Sequence, residues 1–232
     1  NTGAMLVISR LLLNTIEGIN KPALAALWPN KNNMNVVLDL GANIECDKKN
    51  LCDFASMGSA LFKSLFEGER PRVALLNVGL EEHKGNDVLK KTYAVLKNNK
   101  VKNFDFTGYI EGNHIMDGNV DVIVTDGFTG NIALKTAEGT ANFISKGLKN
   151  SLNKLSILIS FYSLKKFKEK LDPRKYNGAI FLGLESPVVK SHGGTDSIGF
   201  AHSINVCNKI VNANLIAKIK SNLITVDGDS NE

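Results

Sequence analysis

The chain has few cysteines, and none is placed for chemistry. Cys46, Cys52 and Cys207 form no CxxC pair and are too few for a disulfide framework, which points to free structural thiols in a reducing compartment. No charge-free run reaches the ~18 residues that a spanning helix needs. The opening Asn1-Thr-Gly-Ala4, followed by an amphipathic pattern carrying Arg10, does not read as a signal peptide. His83, His114, His192 and His202 share no ligand spacing and no HExxH occurs, so no metal is expected. GxSxG, GxGxxG and GxxxxGKS/T are missing as well. Their absence argues against a serine-hydrolase elbow, a bound dinucleotide and a P-loop nucleotide, and no cofactor is expected. The chain also begins without Met and is expected to be a fragment.

What is present is a core-forming composition, 43% hydrophobic over 232 residues, and a regular alternation of strands and helices. Thr2 or Asn1 caps a first helix with its apolar stripe on Met5, Ile8, Leu11, Leu12 and Ile16. Residues 23–27 and 35–40 read as strands, and a helix begins at Asp47 with Leu51, Phe54, Ala55, Gly58, Leu61, Phe62 and Leu65 on one side. The run Val73-Ala-Leu-Leu-Asn-Val78 is a strand covered on both faces. A polar loop follows over 79–87, then a helix over 88–98, a strand over 103–109 and a strand over 120–125. A long helix is expected from Ile132. The pattern predicts right-handed crossovers, a mostly parallel sheet and a three-layer α/β/α fold, with a single domain over 1–223.

Beyond the body, Leu155-Ser-Ile-Leu-Ile-Ser-Phe-Tyr-Ser-Leu164 carries no charge and is too short to span a bilayer. Residues 146–175 hold nine bases against two acids, within a chain of net charge +5. Together they predict a helical tip at about 146–172 that is either an oligomer contact or an interfacial membrane element, its bases meeting an acidic partner or surface, with Leu155, Leu158, Ile159, Phe161, Lys165 and Lys166 as its contacts. Residues 195–223 read as one closing helix with Ile198, Ala201, Ile204, Ile210 and Val211 inward, and 224–232 as a disordered acidic tail.

Three loops at strand ends concentrate the chemistry: Gly41-Ala-Asn43, Glu81-Glu-His-Lys-Gly-Asn86 and Asp126-Gly-Phe-Thr-Gly-Asn131. Ser191-His-Gly-Gly194 is a fourth candidate. They supply amides, one lysine and helix starts, but no activated nucleophile. Such a set suits holding an anion and polarising a carbonyl, the requirements of acyl or phosphoryl transfer by positioning and electrostatics.

Several of these segments resemble one family at collinear spacing. Leu38-Asp-Leu-Gly-Ala-Asn43, Phe54-Ala-Ser-Met-Gly-Ser59 and Pro71-Arg-Val-Ala-Leu-Leu-Asn-Val-Gly79 are similar to segments of the PlsX-type phosphate acyltransferases. So are Glu81-Glu82, Lys84-Gly-Asn86, Thr125-Asp-Gly-Phe-Thr-Gly-Asn131, Lys135-Thr136, Glu138-Gly-Thr140 and Tyr176-Asn-Gly-Ala179. The resemblance implies acyl transfer from acyl-acyl carrier protein to inorganic phosphate, giving acyl phosphate for phospholipid synthesis. It implies a fold related to phosphotransacetylases and isocitrate-type dehydrogenases. It also implies a cytoplasmic homodimer held peripherally at the inner membrane, in reach of a downstream glycerol-phosphate acyltransferase; nucleic acid is not an expected partner. The bases of the tip are then expected to meet acidic carrier protein, anionic lipid or both. Members of the family begin with a strand and a Val-Asp-x-Met-Gly-Gly-Asp loop, and reach Asn-Thr-Gly-Ala only after a sizeable α/β segment that is absent here. Leu80 and His83 stand where the family has small or hydroxyl residues.

The expected catalytic residues are therefore Lys84, which neutralises phosphate charge, and Asn131, which donates to the developing oxyanion. Asn1, Thr2, Gly3, Asn43, Gly85, Asn86, Asp126, Gly127, Thr129, Gly130 and His192 are expected around phosphate and substrate. The competing readings are a phosphotransacetylase acting on acyl-CoA and an inactive fragment or non-catalytic scaffold of phospholipid synthesis.

Overall fold

The structure is a computed structural model that describes residues 2–66, 70–98, 103–151, 162 and 177–224. Its centre is a seven-stranded mixed sheet made of β1 (Ala23–Pro29), β2 (Met34–Leu38), β3 (Arg72–Asn77), β4 (Asp105–Glu111), β5 (Val122–Val124), β6 (Ala179–Leu182) and β7 (Val188–Lys190). The order is β4-β3-β5-β2-β1-β6-β7. The block β4-β3-β5-β2 is parallel throughout, whereas β1, β6 and β7 add to it antiparallel.

Alternation along the parallel strands supplies both faces. Val36, Leu38, Val73, Leu75, Val122 and Val124 enter one core. Val37, Ala74, Leu76 and Ile123 enter the other. The first face is covered by α2 (Lys48–Leu65), α3 (Asp87–Asn98), α5 (Ser197–Asn212) and α6 (Leu215–Asn222), which contribute Phe54, Leu61, Leu96, Ile210, Leu215 and Ile219. The second face is covered by α1 (Thr2–Leu13) and α4 (Gly127–Ser151), through Met5, Leu6, Ala133, Leu134 and Ala137. The architecture is the expected α/β/α.

Helix α2 begins with a reciprocal cap in which the Asp47 carboxylate accepts from the Asn50 backbone and the Asn50 side chain accepts from the Asp47 backbone. Gly58 lets α2 lie directly on the sheet, since a Cβ there would stand 2.6 Å from Val122 Cγ1. Asn177, two residues before β6, donates to the Ser203 hydroxyl and the Gly199 carbonyl and so ties the start of that strand to α5.

Four expectations need correction. Helix α4 starts at Gly127 rather than Ile132, so Gly127, Thr129 and Gly130 lie in its first turn and not in a preceding loop. The closing helix is two helices, parted at Asn214, whose φ of 52° is left-handed. Within α5 the inward residues are Gly199, Ser203 and Ile210, while Ile198, Ala201, Ile204 and Val211 face outward. On α1, Ile8, Leu11 and Leu12 are likewise exposed and only Met5 and Leu6 pack on the sheet. Residues 146–151 of the expected helical tip are the end of α4, while most of the rest of the tip, its six proposed contact residues and the tail beyond Ile224 lie outside the described residues, as does Asn1. No helix among the described residues is long and apolar enough to cross a membrane.

Candidate functional site

Strands β3, β5 and β2 are adjacent and parallel, so the loops that follow them must emerge side by side at one rim of the sheet. That rim gathers the three loops singled out by sequence.

The loop after β2 is built on Asp39, which is fully buried. Its carboxylate accepts from the backbone N–H groups of Leu24 at 3.0 Å, Gly41 at 3.2 Å, Ala42 at 3.0 Å and Asn43 at 2.8 Å. The Asn43 amide donates to it as well, at 2.8 Å. Burial raises the Asp39 carboxyl above its ordinary range, and the surrounding donors pull it back. Asn43 also donates to the Pro22 carbonyl, so its amide nitrogen holds the loop in shape.

The same loop seats α4. The Gly127 N–H donates to the Asn43 carbonyl at 2.7 Å, and the Asn131 amide approaches the Leu40 carbonyl at 3.4 Å. Side chains at 127 and 130 would run into the carbonyls of Asn43 and Asp39, and glycine is required at both for the helix to come this close. Asp126 caps α4 by accepting from the Thr129 N–H at 2.8 Å and the Thr129 hydroxyl at 3.0 Å. The Gly130 N–H is spent on the Asp126 carbonyl.

The loop after β3 is shaped by Asn77, nine-tenths buried at the strand end. Its amide donates to the Lys84 carbonyl at 3.2 Å, and Gly85, at φ 87°, passes so close that a Cβ would meet Asn77 Oδ1 at 2.5 Å. Glu82 anchors the loop to α3 through Lys97 at 2.6 Å and Tyr93 at 3.0 Å, bonds that hold its carboxyl below the ordinary value. Asn86 caps α3 by accepting from the Leu89 N–H at 2.9 Å. Among the described residues no hydrogen bond or ion pair engages the Lys84 ammonium, and Lys84 and Asn131 are both exposed at this rim.

Between these loops lies a cavity of about 380 Å³. Asn86, Asp126 and Thr129 line it, together with Ile44, Glu45 and Cys46. Leu51, Val88, Leu89 and Phe128 complete its walls. Burial, followed by the negative charge of Asp39, pushes the Cys46 thiol up to about 12, so it stays protonated and is no nucleophile.

His192 is not brought to this rim. Strand β7 runs antiparallel to β6, so its end, and Ser191-His-Gly-Gly194 with it, lies at the opposite rim, where the His192 N–H donates to Asn177 at 2.9 Å. Thr2 and Gly3 open α1 on the face of the sheet opposite α2 and α3. Sequence reasoning did not single out Asp39 and Asn77 as site residues. Asp39 directly follows the apolar run Val36-Val-Leu38 and Asn77 follows Val73-Ala-Leu-Leu76, and a polar residue closing such a run is the signal that could have found them.

The chain matches the model of a family described as fatty acid synthesis protein over residues 1–218. It is 64% identical to a phosphate acyltransferase from Pelagibacter ubique, covering 96% of this chain and 68% of that protein. A phosphate acyltransferase from Sinorhizobium fredii is 45% identical, with 98% and 67% covered. The chain thus spans about two thirds of the length of these relatives. In fold it is similar to the EutD phosphotransacetylase from Staphylococcus aureus, with a TM-score of 0.59 at 15% identity over 89% of this chain and 58% of that one. It is also similar to a phosphotransacetylase from Streptococcus pyogenes, with a TM-score of 0.58 at 16% identity over 94% of this chain and 60% of that one.

Proposed function

The chain belongs to the fatty acid synthesis protein family of phosphate acyltransferases, and from that premise we propose that it transfers a fatty acyl group from acyl-acyl carrier protein to inorganic phosphate, releasing acyl phosphate for phospholipid synthesis. The observation that carries this reading is the convergence of the loops after β2, β3 and β5 at one rim, with Lys84 and Asn131 both exposed there.

A phosphate oxygen attacks the thioester carbonyl carbon, the carbonyl oxygen becomes an oxyanion, and the carbon–sulfur bond then breaks. The thiolate that leaves has a thiol pKa near ~8.5, so no strong general acid is needed. The Lys84 ammonium offsets phosphate charge while the Asn131 amide donates to the oxyanion. Gly127 and Gly130 have already spent their N–H groups on backbone carbonyls, and Asn86 and Asp126 cap their own helices. The full positive charge that compensates phosphate therefore comes from the side chain of Lys84. Gly85 and Asn77 fix where that lysine starts.

Removing one oxyanion donor costs roughly 10²–10³ in rate. Lys84→Ala and Asn131→Ala are expected to lower acyl phosphate formation by at least ~10²-fold each, and near-normal activity in both would overturn the assignment. Acyl-acyl carrier protein and acyl-CoA are compared in the same assay. Preference for acyl-CoA would return the donor to the phosphotransacetylase class. The homodimer and the contact with an anionic membrane through residues 146–175 belong to the same proposal.

A further inference from the structure

The cavity beside Lys84 and Asn131 is poorly suited to the anion that those residues serve. Among the described residues no lysine or arginine lines it, and its only charged walls are Glu45 and Asp126. The helices that start there have already committed part of their first-turn amides. The Leu89 N–H is taken by Asn86 and the Thr129 N–H by Asp126. After burial, the charges of Asp39 and Asp126 add to the rise in the Cys46 thiol, and that of Lys21 opposes it. A phosphate placed here would face two carboxylate-bearing walls, with no basic side chain among the described lining residues.

An uncharged apolar group meets the opposite conditions. Leu51 belongs to the buried core, and Val88 and Leu89 pack against it. Toward solvent, Ile44 and Phe128 are 72% and 59% exposed, which is unusual for side chains of this size beside an open cavity. They make an apolar rim that continues into an apolar interior. We propose that this cavity receives the hydrocarbon chain of the acyl donor, leaving phosphate on the Lys84 and Asn131 side of the rim. The proposal rests on the phosphate acyltransferase reading. Lys84 lies two residues before the cavity residue Asn86, and Asn131 two residues after Thr129. A chain seated with its carbonyl at the opening is then delivered to both.

The test is equilibrium binding of uncharged S-acyl-N-acetylcysteamine thioesters, butanoyl against octanoyl, to the 232-residue chain, with inorganic phosphate titrated in parallel. Each buried methylene is worth about fourfold in affinity, so octanoyl should bind roughly 10²-fold tighter than butanoyl. Leu89→Trp, which fills the interior, and Phe128→Ala, which removes part of the rim at an exposed position and so spares the fold, should both reduce that ratio. Lys84→Ala should abolish phosphate binding and leave the ratio in place. If both cavity variants keep the wild-type ratio while phosphate binding still depends on Lys84, the acyl cavity is refuted and the acyltransferase reading survives. Loss of phosphate binding in the cavity variants, with the ratio intact, makes the cavity an anion site and also refutes it. Failure of the wild-type chain to bind either ligand removes the function and the inference together.

Discussion

Buried carboxylates dominate the molecule at the scale of single residues. Asp39 is compensated by five donors, whereas Asp53, within α2, has among the described residues only the Lys49 ammonium at 2.7 Å. Burial raises the Asp53 carboxyl from 3.8 to about 6, and Lys49 opposes that rise. A carboxyl raised on folding contributes its stability below its unfolded value and loses it as pH rises through the folded value. Asp53→Asn keeps the shape and an acceptor for Lys49. Wild type should therefore lose on the order of 1–3 kcal/mol relative to the variant as pH rises from about 4 to about 7, read as urea midpoints at the two ends. Parallel profiles would count against it. The role of Asp39 was not legible in the sequence, which shows an acid at a strand end beside turn residues. Its donors come from Leu24 and from the loop 41–43, and only folding brings Leu24 to it.

At the scale of elements, α4 separates two kinds of glycine. At Gly130 a side chain would collide with the Asp39 carbonyl, whereas Gly139 and Gly147 have nothing within 4 Å of the missing Cβ. Gly130→Ala should cost more than ~2 kcal/mol by forcing the helix off the β2 loop. Gly139→Ala should stabilise by about 0.5–1 kcal/mol, since alanine is the better helix former and meets no neighbour. Thermal melts of the two variants decide the matter, and equal effects would mean that α4 is not seated as described. The sequence places a glycine-rich turn before this helix because Gly127, Gly130 and Asn131 carry turn chemistry. Asp126 instead caps the helix at once, and the glycines serve close approach. For α5, the spacing of Ile198, Ala201, Ile204 and Val211 gives a convincing stripe. The stripe that packs is Gly199, Ser203 and Ile210, because Asn177 binds the small residues there.

For the whole molecule the basic window over 146–175 sets an outward-facing property, and most of that window lies beyond the described residues. At about 1 kcal/mol per base near a lipid surface, the chain should co-sediment with anionic vesicles, not with zwitterionic ones, and be released by salt. Binding indifferent to lipid charge and salt would remove the membrane from the proposed function. The sequence by itself determined the alternation of strands and helices, the three loops that carry amides and Lys84, and the family, because these follow from local pattern and collinear motif. Tertiary structure alone decided the order β4-β3-β5-β2-β1-β6-β7, which sets the three loops on one rim and sends His192 to the other. It also decided that the helix starts cap themselves and that the cavity between them is acidic and apolar. These outcomes depend on pairing and close approach between segments distant along the chain, for which no local stretch of sequence holds the information.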